Sequence, residues 1–167
     1  MVGRNKVPTP WNNRRKDMDV NDILGKFPYS DPFLFVDALE SVTEDTVEGS
    51  YTFKGSEFFY PGHFKERPVT PGVILTECCA QIGLVAIGIY LMHKMGDGTD
   101  EAQIALSSSQ MQFLLPVYPM ETVKVKSEKI YFRFQKLKCK VRMYNSQGKL
   151  VCKGELSGMI KNRSNGR

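Results

Sequence analysis

The period of apolar positions changes twice along the chain. From Phe33 to Phe53 apolar and polar residues alternate in two runs, FLFVDALESV and TVEGSYTF, which predicts two strands joined by a turn at Glu44-Asp45. From Val73 to Met92 the alternation disappears and apolar residues fill nearly every position, which predicts a buried helix. Thr70 is placed to cap that helix, Pro71 suits its first turn, and His93 and Lys94 stand where cations favour a helix C-terminus. Beyond the loop GDGTDE the alternation returns in Ile104–Leu115, TVKVKSEKIYFRF, KLKCKVRMY and KLVCKGELSGMI, with turns at 116–119 and Asn145–Gly148. Leu137, Cys139, Val141 and Met143 are expected to face inward. The parity slips between Val125 and Ile130, so a bulge or a strongly curved sheet is expected there.

A helix that is apolar nearly all round must be wrapped on most sides. The elements therefore predict an α+β chain, a curved antiparallel sheet of about five to six strands around one long central helix, the hotdog arrangement. Residues 19–160 are expected to form this single domain. Residues 1–18 read as a flexible basic arm and 161–167 as a flexible tail. Asp19 to Phe27 predicts a short helix ended near Gly25. The loop from Gly55 to Arg67 is dense in aromatics (Phe58, Phe59, Tyr60, Phe64), suited to core packing or to lining an acyl tunnel.

Composition narrows the class. The N-terminal segment is basic but has no apolar run, unlike a signal peptide. Val73 to Met92 is about the length of a membrane span, yet it carries Glu77 and Gln81, so the core of a soluble protein is the expectation. Cys78, Cys79, Cys139 and Cys152 form no CxxC pair and only two histidines accompany them, so no metal site is expected. Reduced thiols point to the cytoplasm. Charge is uneven: residues 24–122 hold 13 acidic and 5 basic side chains, whereas 123–142 hold 8 basic ones against Glu128 alone. Such a basic stretch suits an anionic partner, either a nucleic acid, a phosphate-bearing cofactor or an acidic protein, or else it is a solvated outer face. A nucleic-acid reading has no other support.

The chemistry concentrates in YPGHFKERPVTPGVILTECCAQIG, from Tyr60 to Gly83. Glu77 falls two turns into the apolar helix, where desolvation is expected to disfavour its charged form and fit it to donate a proton. Gln81, four residues on, shares its face and can bond the carboxyl group or a ligand. His63 lies in the preceding loop, and rigid Pro68 to Pro71 leads back to the helix start. There Gly72 has no side chain to keep a ligand oxygen from the amides. A base, an acid and an oxyanion site together suit proton abstraction beside a carbonyl coupled to loss or gain of water. The residues alone also fit a structural histidine and a glutamate that caps a local network with Gln81, and a Thr70 hydroxyl bound to the helix amides would compete with a ligand.

This stretch closely resembles the bacterial 3-hydroxyacyl-[acyl-carrier-protein] dehydratases of type II fatty acid synthesis. The residues that carry the resemblance are Gly62-His63-Phe64, Pro68-Val69, Pro71-Gly72-Val73, Glu77 and Ala80-Gln81, with a weaker match in PFLFVD, Pro32 to Asp37. The resemblance implies dehydration of 3-hydroxyacyl thioesters to trans-2-enoyl thioesters without a cofactor, in fatty acid or a related specialised acyl pathway. It implies His63 as base at C2, Glu77 as acid at the C3 hydroxyl, and substrate contacts at Gly72, Val73 and Gln81. It also implies an acyl carrier protein as partner and a homodimer, or a trimer of dimers, with His63 and Glu77 of each site on different chains. Neither nucleic acid nor membrane is an expected partner. The sequence departs from the family in Pro28-Tyr29-Ser30, where relatives have P-H-R, and in Leu114-Leu115, where they have basic residues. The rival readings are a thioesterase of the same fold, although those generally lack the histidine paired with this glutamate, and a non-catalytic acyl-binding partner.

Overall fold

The computed structural model describes residues 16–96 and 102–162. Most of the expected basic arm, most of the GDGTDE loop and most of the expected tail lie outside them. The elements are α1 (Val20–Leu24), β1 (Ala38–Val42), β2 (Thr46–Thr52), α2 (Gly72–Met95), β3 (Ala102–Phe113), β4 (Thr122–Arg133), β5 (Lys136–Asn145) and β6 (Leu150–Asn162). α1 is the short helix expected, started by the Asp19 carboxylate, which accepts from the Asn21 amide at 2.8 Å.

One antiparallel sheet holds all six strands in the order β1-β2-β4-β5-β6-β3, so β1 and β3 are its edges. Alternation aims Val47 and Tyr51, Val123 and Val125, and Leu137, Cys139, Val141 and Met143 at the same inner face, where all are buried. The parity slip in β4 is a bulge: Lys129 pairs with Cys139 and Tyr131 with Lys138, leaving Ile130 unpaired and exposed. The extra residue lets one strand change faces as the sheet curls.

Inside the curl lies α2. By length and composition it is long and apolar enough to cross a membrane, yet Cys78 through Met92 are buried within the fold. Each large side chain removed from water there, such as Ile82, Leu84, Ile87 or Ile89, contributes about 2 kcal/mol, which favours wrapping over exposure. Glycines let helix and sheet approach. A Cβ on Gly83 would lie 2.8 Å from Val141 Cγ1 and 3.0 Å from Ser127 Cβ. Around this contact, Gln81–Val85, the helix widens into a π-turn, closed by the Ala86 amide on the Gln81 carbonyl. The Ser127 hydroxyl donates to the Gly83 carbonyl at 2.9 Å, so the sheet supplies a partner for the altered ladder.

Two boundary expectations need correction. The first strand begins at Ala38, not at Phe33, because the Phe33 carbonyl and the Phe35 amide are held by the Gln81 side chain, and the Phe33 amide by the Ser30 carbonyl, instead of by a neighbouring strand. α2 begins at Gly72 with Pro71 as its cap, and Thr70 makes no cap bond because its hydroxyl is engaged elsewhere. His93 and Lys94 fall in the last turn of the helix as expected, and it ends at Gly96, whose left-handed φ of 83° suits glycine.

The uneven charge along the sequence is largely evened out in space. Lys124 pairs with Glu40 at 2.8 Å, Lys126 with Glu48 and Lys129 with Asp45 at 3.0 Å, Lys138 with Glu155 at 2.5 Å, and Arg142 with Glu128 at 3.0 Å. The basic strands thus face acidic partners contributed by β1, β2, the turn between them, β4 itself and β6. Exposed pairs of this kind add little stability, at most about 1 kcal/mol each. Their effect is to leave the outer sheet face less basic than its sequence suggests.

Candidate active site

The loop between β2 and α2 is anchored before it reaches His63. Tyr51, buried on β2, donates its hydroxyl to Glu57 Oε1 at 2.5 Å, and the Lys54 amide donates to the same oxygen at 3.1 Å. Phe59 packs edge-on against Phe53, Phe58 and Tyr60 and touches Phe35. Of the aromatic cluster, then, Phe59 and Tyr60 serve the core, whereas Phe58 and Phe64 remain exposed.

His63 is half-buried. Its amide donates to the Phe59 carbonyl at 3.0 Å, and its carbonyl accepts from the Val69 amide at 2.9 Å. Its ring stacks on Phe64 at 3.9 Å, and Nδ1 lies 2.8 Å from the Val69 carbonyl. A carbonyl oxygen can only accept, so Nδ1 carries the proton. In the neutral ring Nε2 then holds the lone pair, which is the form a general base requires.

The start of α2 lies beside this loop. Thr70, 4% exposed, sets its hydroxyl 2.7 Å from that of Tyr60, and its amide donates to the Val117 carbonyl at 2.8 Å. Proline at the cap has no side-chain acceptor for the first helical amides. Val73 projects into solvent at 75% exposure. Phe113 lies over Gly72, so a Cβ there would be 3.1 Å from the ring's Cζ. Thr70, Gly72, Leu75, Phe113, Leu114, Leu115 and Pro116 line a cavity of 380 Å³ at this end of the helix. The two leucines that replace the family's basic residues thus make its wall apolar.

Glu77 is half-buried, not fully enclosed as the apolar run suggested: the first turns of α2 leave Gly72, Val73 and Thr76 at least partly exposed, and burial is continuous only from Cys78. Gln81 Nε2 donates to Glu77 Oε1 at 2.9 Å. The same amide nitrogen donates to the Phe33 carbonyl at 2.9 Å, while Gln81 Oε1 accepts from the Phe35 amide at 2.8 Å. Both amide protons of this fully buried glutamine are therefore spent on protein acceptors. Burial first, and then the Glu77 carboxylate, push the Tyr29 phenol up to about 12, so it stays protonated beside Glu77. Tyr29 was visible in the sequence only as a departure from P-H-R; its nearness to Glu77 comes from the path of the chain before β1. The fold brings Glu77, Gln81 and Tyr29 together. Among the described residues His63 makes no hydrogen bond to Glu77 within one chain.

The four cysteines are buried free thiols. Burial holds the Cys78 and Cys139 thiols in the neutral form, the latter pushed up to about 12, and a neighbouring Cys152 acts with burial to do the same for Cys79. Among the described residues no group of three or more His, Cys, Asp or Glu side chains is placed to hold a metal ion.

Known proteins resemble the chain in sequence and in fold. The family model for the FabA-like domain matches residues 27–157. The 3-hydroxyacyl-[acyl-carrier-protein] dehydratase FabZ of Clostridium perfringens (strain SM101 / Type A) is 32% identical over 143 residues, which span 83% of this chain and 96% of that one. FabZ of Protochlamydia amoebophila (strain UWE25) is 32% identical over 152 residues, 88% of this chain and 92% of that one. A bifunctional enzyme LpxC/FabZ of Porphyromonas gingivalis is 32% identical over 127 residues, 75% of this chain, and the match spans only 27% of that longer protein. Among solved structures, the dehydratase heterocomplex ApeI:P from Xenorhabdus doucetiae superposes with a TM-score of 0.72 at 12% identity, covering 85% of this chain and 92% of that one. A hypothetical thioesterase with coenzyme A from Streptococcus pneumoniae TIGR4 gives a TM-score of 0.56 at 15% identity, over 74% and 84%. These neighbours share the sheet wrapped on a helix, which is the hotdog fold.

Proposed function

Since the chain belongs to the FabA-like family and is a hydro-lyase of its 3-hydroxyacyl-[acyl-carrier-protein] dehydratase branch, we propose that it converts 3-hydroxyacyl thioesters on acyl carrier protein to trans-2-enoyl thioesters in fatty acid or a related acyl biosynthesis. His63 Nε2 removes the C2 proton. The released electron pair forms the C2=C3 double bond as the C3–O bond breaks, and Glu77 gives its proton to the hydroxyl, which leaves as water. His63 ends protonated and Glu77 ends as the carboxylate, so proton return between them or through solvent resets the site. The thioester oxygen rests against the amides of Gly72 and Val73 at the positive end of α2, where charge that develops during C2 deprotonation is stabilised. The acyl chain takes the apolar cavity under Phe113. Gln81 serves the substrate by orienting Glu77.

The observation that carries this reading is the bond from His63 Nδ1 to the Val69 carbonyl, which presents Nε2 as the base. A homodimer joined through β3, an edge strand of 12 residues, would pair His63 of one chain with Glu77 of the other. The protein works as a soluble enzyme of the cytoplasm. Incubation with 3-hydroxyacyl and 2-enoyl thioesters, following enoyl absorbance and free thiol together, tests the reading. The expected result is enoyl interconversion without thiol release, abolished in His63→Ala and in Glu77→Ala. Thiol release in place of interconversion would make the chain a thioesterase, like some of its structural neighbours.

A further inference from the structure

We propose that Tyr60 and Thr70 form a clamp that positions His63, an inference that rests on the dehydratase reading above. The segment between them is mostly surface: Pro61, Gly62 and Phe64 through Pro68 are exposed, and His63 and Val69 are half-buried. Only its two ends are buried, Tyr60 at 3% and Thr70 at 4% exposure, and there the two hydroxyls meet at 2.7 Å. Each end is also fixed to the frame. The Tyr60 ring packs edge-on against Phe59 at 4.7 Å, and the Thr70 amide donates to the Val117 carbonyl at 2.8 Å.

Val69 immediately precedes Thr70, and its carbonyl is the acceptor for His63 Nδ1. Rotation of the peptide between them would swing that carbonyl away from the imidazole. The Thr70 amide, bonded to the Val117 carbonyl, resists this rotation from one side, and the Tyr60 hold on the Thr70 side chain adds a second restraint, so contact runs from the Tyr60 hydroxyl through Thr70 and the Val69 carbonyl to the base. The group that accepts from one ring nitrogen determines which tautomer the other nitrogen presents. Burial raises the Tyr60 phenol, so it remains protonated for this contact. Two hydroxyls in an apolar setting cost free energy unless each serves the other, and phenylalanine and valine would fill the same space without them. The same contact keeps the Thr70 hydroxyl from bonding the helix amides two and three residues on, which threonine otherwise tends to do.

The test separates positioning from stability. Tyr60→Phe and Thr70→Val each strand one buried hydroxyl and lower the thermal midpoint, whereas the double variant strands none and recovers it. Imidazole nitrogen NMR reads the His63 tautomer, with His93→Gln assigning the second of the chain's two histidines. Kinetics with a 3-hydroxyacyl thioester read kcat and KM. In the single and the double variants the Nδ1-protonated form loses its dominance and kcat falls about tenfold with KM nearly unchanged; Thr70→Ser, which keeps the hydroxyl, behaves as the parent. Recovery of tautomer and kcat in the double variant together with its midpoint, or no change in either, would overturn the clamp. A parent protein that performs no dehydration would defeat the dehydratase reading, and the tautomer readout would still decide the clamp.

Discussion

Gln81 stands one helical turn beyond Glu77 and donates to its Oε1 at 2.9 Å, while its remaining amide contacts hold the Phe33 carbonyl and the Phe35 amide. One buried side chain, on the first residue of the π-turn, thus joins the proposed acid to the segment that leads into β1. A polar group is tolerated in that interior because every bond it needs is made there.

Gln81→Leu keeps the bulk and removes these bonds. The Phe35 amide and Phe33 carbonyl then lose their partner, so stability is expected to fall by about 2–4 kcal/mol. Urea denaturation with an unchanged m-value reads this loss, and dehydration should slow because Glu77 is no longer held. A loss below about 0.5 kcal/mol, the range of an ordinary surface substitution, would contradict the role assigned to the amide.

A site shared between two chains has a distinctive signature in mixtures. His63→Ala and Glu77→Ala are each expected to be inactive as homodimers. After subunit exchange, half the dimers are mixed and each carries one intact site, so activity should return to about a quarter of the parent. Sites confined to one chain would yield no recovery at all.

Gly83 lies in the π-turn, where α2 packs closely against β4 and β5. Gly83→Ala improves helix propensity by about 1 kcal/mol, but its Cβ would meet Val141 and Ser127, both buried, at 2.8 and 3.0 Å. Overpacking is expected to dominate, with a net loss of about 1–3 kcal/mol. A variant as stable as the parent in chemical denaturation would show that β4 and β5 yield more readily than their pairing implies.

Alkaline pH should unfold the protein through its buried acids. Cys139 is pushed from its ordinary value of 9.0 to about 12, chiefly by burial, and Cys78 and Cys79 are raised as well. Above pH 9 the unfolded chain releases thiol protons that the folded chain retains, so the unfolded state binds fewer protons and stability falls as pH rises. The contribution of Cys139 is whole below pH 9 and declines by about 4 kcal/mol toward pH 12. Tyr29, raised from 10.0 to about 12, adds to the decline from pH 10. Denaturation midpoints measured from pH 8 to 11 should drop progressively above pH 9; a flat profile would contradict buried, neutral thiols.

Much of the frame was legible because it depends on local period. The inward set Leu137, Cys139, Val141 and Met143 followed from alternation, and the bulge at Ile130 followed from its failure. The Glu77–Gln81 contact followed from a four-residue offset on a helix. Phe33-Leu34-Phe35 has strand-like composition and so predicts the first strand too early, whereas the Phe33 carbonyl and the Phe35 amide are held by Gln81, which lies 46 residues beyond Phe35. The Gln81–Val85 π-turn left no mark in an apolar run, since hydrophobicity does not distinguish one helical ladder from another.

Spacing and residue type by themselves determined that a long apolar helix would be wrapped by a sheet, with a histidine in the loop before it and a glutamate in its early turns; the dehydratase reading of that pair came from the motif's resemblance to a family. Only the tertiary structure decided which partner each polar group takes. Thr70 had two candidates within reach, the helix amides and a hydroxyl ten residues away, and Tyr60 is the one that engages it. The lysines of β4 and β5 had solvent or an anionic partner open to them, and several found carboxylates on neighbouring elements instead. The reason is physical: local period reports which side of an element avoids water, whereas a hydrogen bond or ion pair is a competition among groups that only the folded chain brings within 3 Å or so of one another.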